Sequence, residues 1–347
     1  MTEPVLTQRA LNRALLARQL LLERAKLPIP DALDQLGGIQ NQYAPNAYIR
    51  LWSCLAGFGR DHLSRAYEDG SVVQGTLMRG TIHAVSAGDY HSFAAGIRRT
   101  QQEWSRRVYR GDDRRRRTVA TRVRRALAGR TVTRKELTDL LGDSDPSIKH
   151  TIDVDAELVR VPPSGTWERR RADLYGLADD VIGHHAEVHE ADGLAHLVRR
   201  YLGAFGPASM RAIAEFTGVP ATRLKPVIAA LELRHFRDEA GRQLLDVLDA
   251  ALPDADTPAP VRFLPTWDAA LLVHARGTQI LPDAYRPRIF YTKMPPSFPT
   301  FLVDGQVAGT WRYEEGRVTL APFHRLAARD RRELDDEAER LAAFHAD

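Results

Sequence analysis

The sequence predicts an α+β protein made of three tandem winged helix-turn-helix units followed by a small C-terminal β unit. Three observations carry this. Short helical segments precede a strand–turn–strand pair three times along the chain. The last part of the chain alternates apolar residues around Asp-Gly and Glu-Gly turns. A length of 347 residues accommodates several domains and a sizeable buried core.

In the first unit Leu11, Leu15 and Leu22 recur at near-helical spacing within residues 7–25, with Arg9, Arg13 and Arg24 around them. A short helix begins at Asp31 after Pro30 and stops at Gly37-Gly38, and Pro45 opens another through NAYIRLWSCLAGF. A helix over residues 61–68 leads into VVQGTLMRGTIHAV, two strands meeting near Met78-Arg79-Gly80. In the second unit Thr133 and Glu136 form a capping box that opens RKELTDLLG. A helix over 147–155 and the strand–turn–strand ELVRVPPSGTWERRRADLY follow. The third unit has the helix GPASMRAIAEFTG stopped at Gly218, a turn at Val219-Pro220, the helix ATRLKPVIAAL, and the hairpin LRHFRDEAGRQLLDV. DALPDADTPAP reads as a linker. Beyond it VRFLPTWDAALLV and FLVDGQVAGTWRYEEGRVTLAPF read as an antiparallel meander, and a charged helix over 325–345 ends the chain. The units share no fixed period, which excludes a solenoid. The expected division is 1–95, 96–175, 176–255 and 256–347.

Composition narrows the function classes. No run approaches 18 uncharged apolar residues, so a membrane span is not expected. The N-terminus lacks an apolar h-region and Cys54 is the single cysteine, so cytoplasmic residence without a disulfide framework is the expectation. The motifs GxGxxG, GxxxxGK[ST], HExxH and GxSxG do not occur, which removes the best support for nucleotide, zinc-hydrolase and serine-hydrolase chemistry. No cofactor is expected.

The net charge is only +4, yet all but five of the 49 basic residues are arginine. Residues 98–130 hold thirteen arginines against Glu103, Asp112 and Asp113, including Arg98, Arg99, Arg114, Arg115, Arg116 and Arg117. A charge run alone reads as a solvated helix face, but this asymmetry points toward a polyanionic partner. Trp104 and Tyr109 lie within the run, as base-stacking candidates or half-buried helix residues. Arg79 at a hairpin tip fits a phosphate clamp or a minor-groove contact, or else a solvated side chain beside a turn that needs Gly80. Arg211 and Arg223 are phosphate-contact candidates on the same logic. His184, His185 and His189 include one pair a helical turn apart, but the preceding Gly183 makes a surface loop the preferred reading over a metal site.

The stretch GGIQNQYAPNAYIRLW holds Gln40 and Gln42. In an extended backbone both amides project to one side; in a helix they diverge by about 200°. An amide accepts and donates hydrogen bonds without taking a proton, so such a pair can position a water but not activate it strongly.

Taken together, GGIQNQ, LMRGTIHAV, LVRVPPSGTWERRR, FGPASMRAIAEFTG and FLPTWDAALLVHARGTQIL resemble, in order and over nearly the full chain, the AlkZ-type DNA glycosylases, a winged-helix group that includes the YcaQ-like enzymes. The resemblance implies a C-shaped, DNA-cradling protein of three winged helices with a β-barrel-like element. It implies excision of N7- or N3-alkylated purines, including bulky adducts and interstrand crosslinks, in DNA repair or in self-resistance to a genotoxin. Gln40 and Gln42 match the family's catalytic Gln-x-Gln motif, whose middle position is usually aliphatic or small and here is Asn41. Thr81 and His83 of LMRGTIHAV and Trp267 of FLPTWDAALL join the arginines as expected DNA contacts. The expectation is a monomeric, monofunctional glycosylase acting on double-stranded DNA. The alternative is a non-catalytic winged-helix transcriptional regulator, although three such units in one chain suit a cradle better than a half-site reader.

Overall fold

A computed structural model describes residues 3–142, 145–274, 277–290 and 298–347. The first helix, Gln8–Arg18, is capped by the Thr7 hydroxyl, which accepts the Ala10 amide at 3.1 Å. It ends well before residue 25 because Leu20 takes a φ of 55° and turns the chain. Ile29–Leu36 stops at Gly37 in the left-handed region, and the backbone then runs extended as the two-residue strand Ile39–Gln40. Pro45–Cys54 and Arg60–Glu68 follow as helices.

Ile39–Gln40 pairs with Ile82–Ser86, and Ile82–Ser86 pairs with Val72–Thr76 around the turn Met78–Gly80. Val72–Thr76 in turn pairs with Leu158–Arg160, matching Gln74 to Arg160 and Gly75 to Val159. Leu174–Leu177 and Val132–Thr133 complete a single six-stranded sheet. The first two strand pairs are therefore fused edge to edge, which covers strand edges that would otherwise be open. The third hairpin, Arg234–Asp238 with Gln243–Asp246, carries the N-terminal strand Val5–Leu6 in parallel on its edge.

The C-terminal strands Arg262–Leu264, Thr300–Val303, Gln306–Glu314 and Arg317–Pro322 form an antiparallel sheet in chain order. Its turns sit at Asp304-Gly305 and Glu315-Gly316, all at positive φ. Among the described residues the two outer strands do not pair with each other. The expected barrel-like element is thus an open sheet, because four strands are too few to close around even a side-chain core. The helix Ala328–Ala346 lies against its last strand and carries Phe344 into contact with Trp52, Phe58 and Trp167, at ring separations of 5.9, 6.0 and 5.6 Å.

Two long helices, Ala87–Tyr109 and Glu190–Phe205, hold the centre. They touch through Gly96 and Gly193, where a Cβ on either would meet the other helix's backbone within 3.0 Å. The resulting mixed α+β core includes Phe93, Ile97, Leu197, Tyr201 and Phe205. Among the described residues no helix is long and apolar enough to cross a membrane.

Candidate active site

Extension over Ile39–Gln40, continued by the Asn41 amide, turns Gln40 and Asn41 to opposite sides, since neighbours in a strand alternate, and Gln42 follows at a bend. Asn41 is 2 % exposed and turned inward, whereas Gln40 is half-buried and Gln42 exposed. The Asn41 amide donates to Ile82 O at 2.7 Å, continuing the ladder in which Gln40 faces His83. The Asn41 side chain donates to Gln74 Oε1 at 2.9 Å and accepts the Ala47 amide at 3.3 Å, while Gln74 donates to Gly165 O at 3.0 Å. With the Asn41 amide turned over, its nitrogen meets the carbonyls of Tyr43 and Ala44 at 3.1 and 3.2 Å, and its oxygen faces Gln74 Oε1 at 2.9 Å, a hydrogen bond only where the Gln74 amide is turned as well. In either orientation Asn41 is spent on internal partners.

The two glutamine oxygens are each held by a donor. Gln40 Oε1 accepts from Arg79 Nη2 at 2.8 Å, and Gln42 Oε1 accepts the Ile82 amide at 3.3 Å. Among the described residues no internal acceptor takes the NH2 of either glutamine, so both remain available to a ligand.

Arg79 does not project from the hairpin tip. It adopts a φ of 57°, and its guanidinium turns inward to donate to Phe216 O while lying 5.2 Å from the Phe216 ring centroid. Gly218, at φ 75°, brings the end of the helix Met210–Thr217 so near that a Cβ there would sit 3.3 Å from the Arg79 backbone. Burial lowers Arg79 to about 10, which leaves it charged at neutral pH. His83 is buried and pushed down to about 3, by burial first and by Arg79 second. Its Nδ1 lies 3.0 Å from Thr81 O, which suits the Nδ1–H tautomer donating to that carbonyl, and Nε2 is buried without a partner. His274, stacked 4.3 Å from Phe205, is likewise lowered to about 3. Gln40 is thus held by the charged Arg79 and faces one neutral imidazole, His83, across the strand pair.

The family model described as DNA glycosylase AlkZ-like matches residues 33–344, a span that includes every candidate residue. The chain belongs to the AlkZ-like DNA glycosylase family. Among solved structures it is similar to the Streptomyces sahachiroi DNA glycosylase AlkZ, with a TM-score of 0.80 and 18% identity over 99% of this chain and 97% of that one. No curated protein matches the sequence.

On this AlkZ-like fold the other expected DNA contacts separate into three groups. Arg116 is buried and paired with Asp155 at 2.7 Å, and Arg223 is held by Glu190 and by Thr100 at 2.7 Å. Neither is presented to a phosphate, and His83 is equally interior. Arg98, Arg99 and Arg211 are more exposed but ion-paired, to Glu157, Glu103 and Glu215. Arg114, Arg115 and Arg117 are exposed and in no ion pair among the described residues. Arg114, Arg117, Arg122 and Arg125 line a shallow groove along one face of the helix Asp113–Leu127. Arg122 and Arg125 were not singled out from the sequence, although the i, i+3, i+8, i+11 spacing from Arg114 carries them.

Thr81 closes the hairpin turn by donating to Met78 O at 3.0 Å. Trp267, at φ 56° and half-buried, lines a narrow slot with Gln40, Arg50 and Asp268. Arg50 and Asp268 form a buried ion pair at 3.0 Å, and Arg50 also donates to Gln19 Oε1 at 2.9 Å. Sequence reasoning missed this pair, as it missed Gln74, because each is a single polar residue within an apolar stretch. Trp104 and Tyr109 are partly exposed and cluster with His150. His184, His185 and His189 lie in the segment before Glu190–Phe205, where His184 is exposed and His189 occupies the N-cap position.

Proposed function

We propose that this protein is a monofunctional DNA glycosylase that hydrolyses the N-glycosidic bond of N7- or N3-alkylated purines in double-stranded DNA. One observation carries the assignment. Gln40 ends the strand Ile39–Gln40 and Gln42 follows two residues on at a bend, each with its oxygen held by a donor from the hairpin of residues 72–86 and its NH2 uncommitted. Alkylation puts a positive charge on the purine, so the C1′–N9 bond breaks with its electron pair going to the base. The sugar becomes oxocarbenium-like, and a water adds at C1′ and loses its proton to solvent. A neutral amide pair positions that water through its NH2 donors and the second lone pair of each carbonyl oxygen, without proton transfer, which suffices where the leaving group is already good. His83, which faces Gln40 across the strand pair, does not compete as a base, because it is buried and lowered to about 3.

The helix–hairpin segments are read as three winged helix-turn-helix units forming a C-shaped cradle around the duplex, with the chain acting as a monomer. The arginine face of Asp113–Leu127 contacts phosphates without reading sequence. An open cradle suits bulky adducts and crosslinks, which need not be flipped fully into a tight pocket. That extends the reading to repair of, or self-resistance against, a DNA-alkylating genotoxin.

Base release from a duplex carrying N7-methylguanine tests the proposal. Wild type is expected to release the base, and Gln40→Ala with Gln42→Ala to lose most of that rate while still binding DNA. Equal release by wild type and the double variant removes the catalytic assignment. No release by wild type, with tight binding to one DNA sequence at physiological salt, favours a transcriptional regulator.

A further inference from the structure

A second polar cluster lies where the helix Ala87–Tyr109 meets the start of the strand Leu158–Arg160 and the loop after Ile182. His91, Glu157 and His185 each offer one ligand atom there, all within 4.8 Å of one another. His91 is only 8 % exposed, and both of its ring nitrogens are buried without a hydrogen-bond partner among the described residues. An imidazole satisfied at neither nitrogen is costly in a folded interior. Asp179 adds a buried, unpartnered Oδ1 that lies 3.6 Å from His185 Nδ1. The glycosylase chemistry uses none of these groups.

We propose that His91, His185 and Glu157 bind a divalent cation of the zinc class, with Asp179 in reach as a fourth ligand. Two imidazoles with carboxylates suit zinc, whereas magnesium and calcium demand more oxygens than the cluster offers. Zinc ligands stand about 2.0–2.2 Å from the metal, so the cluster must contract by roughly 1 Å on binding. The His91 and His185 rings are stacked, with centroids 3.2 Å apart and planes 14° from parallel, so their nitrogens run side by side. His185, with a side chain 28 % exposed on a loop, is the residue able to rotate and bring a nitrogen onto the ion. Arg98 and Arg124 both donate to Glu157, and Arg124 donates to Asp179 at 2.8 Å. These guanidiniums hold the carboxylates and offset their charge, which leaves the imidazoles as the decisive ligands. The ion would clamp the loop leading to Glu190–Phe205 onto the first long helix.

The test uses the full chain, stripped with a chelator, reloaded with zinc, desalted and assayed by elemental analysis. The expected result is one equivalent of zinc per chain, falling to background in His185→Ala and unchanged in His184→Ala. His185 is on an exposed loop, so its variant reports ligation without depending on whether a His91 variant folds. Cobalt(II) titrated into the stripped protein is expected to give the visible d–d absorption of a low-coordinate nitrogen–oxygen site, and magnesium is expected not to displace it. Substoichiometric zinc in reloaded wild type, or full zinc retention by His185→Ala, overturns the site. Displacement of cobalt by magnesium overturns the zinc-class assignment.

Discussion

Replacing Asn41 by alanine tests whether the residue between the two glutamines holds them in place. The side chain bridges three elements. It meets Gln74 on the strand Val72–Thr76, receives the Ala47 amide from the first turn of Pro45–Cys54, and sits on the segment paired with Ile82–Ser86. Asn41→Ala removes two buried hydrogen bonds and leaves Gln74 Oε1 and the Ala47 amide without those partners. A net bond contributes about 1 kcal/mol and an orphaned buried group costs about 1–3 kcal/mol, so the local loss is on the order of 3 kcal/mol. The bond to the Ala47 amide belongs to the orientation in which the Asn41 oxygen faces that amide; turned over, the side chain donates to Tyr43 and Ala44 instead. Gln74 keeps its bond to Gly165, so the pair Asn41 and Gln74 should show a coupling of about 1 kcal/mol in a double-mutant cycle. Native-state hydrogen exchange over residues 41–50 reads this directly, because the Ala47 amide is itself one of the donors. Base release should fall in parallel by on the order of tenfold or more, since a catalyst that works by position is sensitive to displacements under 1 Å. Unchanged exchange at Ala47 in Asn41→Ala, or strictly additive effects with Gln74→Ala, would refute the bridge. Loosened exchange with an undiminished rate would separate the bridge from the chemistry.

Three further outcomes are expected. Arg79 donates from two separate nitrogens, Nη1 to Phe216 O and Nη2 to Gln40 Oε1, a fork that the one ammonium nitrogen of Arg79→Lys does not reproduce. Base release should drop roughly tenfold to a hundredfold, matching a charged hydrogen bond of about 1.5–3 kcal/mol. The drop should vanish in a Gln40→Ala background; an undiminished drop there would show that Arg79 acts independently of Gln40. Arg117→Ala and Arg125→Ala should weaken binding to undamaged duplex and each lower the slope of log K against log salt by about 0.9, whereas buried Arg116→Ala should reduce stability and leave the slope unchanged. His83 and His274 stay neutral in the fold and titrate near their ordinary value of about 6.5 once unfolded, so the unfolded chain binds more protons below that pH. Stability should therefore fall as pH drops from about 6.5 toward 3, by roughly 1.4 kcal/mol per pH unit for each residue. Denaturation midpoints measured from pH 7 to pH 5 should show a flatter dependence in His274→Gln than in wild type.

What the sequence disclosed and what it concealed divide along the range of the interactions. The capping box at Thr133 and Glu136, the left-handed stop at Gly218 and the turns at Asp304-Gly305 and Glu315-Gly316 are local signals, and each is present as expected. The strand Ile39–Gln40 is too short to show a period, and its existence depends on residues 82–86, more than forty positions away. The edge pairing of Val72–Thr76 with Leu158–Arg160 is non-local in the same way. Arg79 misled for a related reason. The Gly-containing turn was readable, but Phe216, which draws the guanidinium inward, is 137 residues distant. Arg116 was different, because its burial was legible in principle. Val119, Val123 and Leu127 stand at i+3, i+7 and i+11 from it, on the buried face of Asp113–Leu127, while Arg114, Arg117 and Arg125 fall on the other. A charge run thus needs phasing against its apolar neighbours before any member is assigned to a phosphate.

The same range argument bears on the glutamine pair. A carboxylate or an imidazole advertises its chemistry through charge and pKa, but an amide has neither, and its usefulness lies wholly in where its dipole points. That direction is set here by Arg79, by the Ile82 amide and, through the backbone, by Asn41 and Gln74. Three of those four residues lie on the hairpin of residues 72–86 rather than on the segment that carries the motif. Much of the positional control over the proposed chemistry therefore resides in that hairpin, and substitutions there should alter the rate without touching either glutamine.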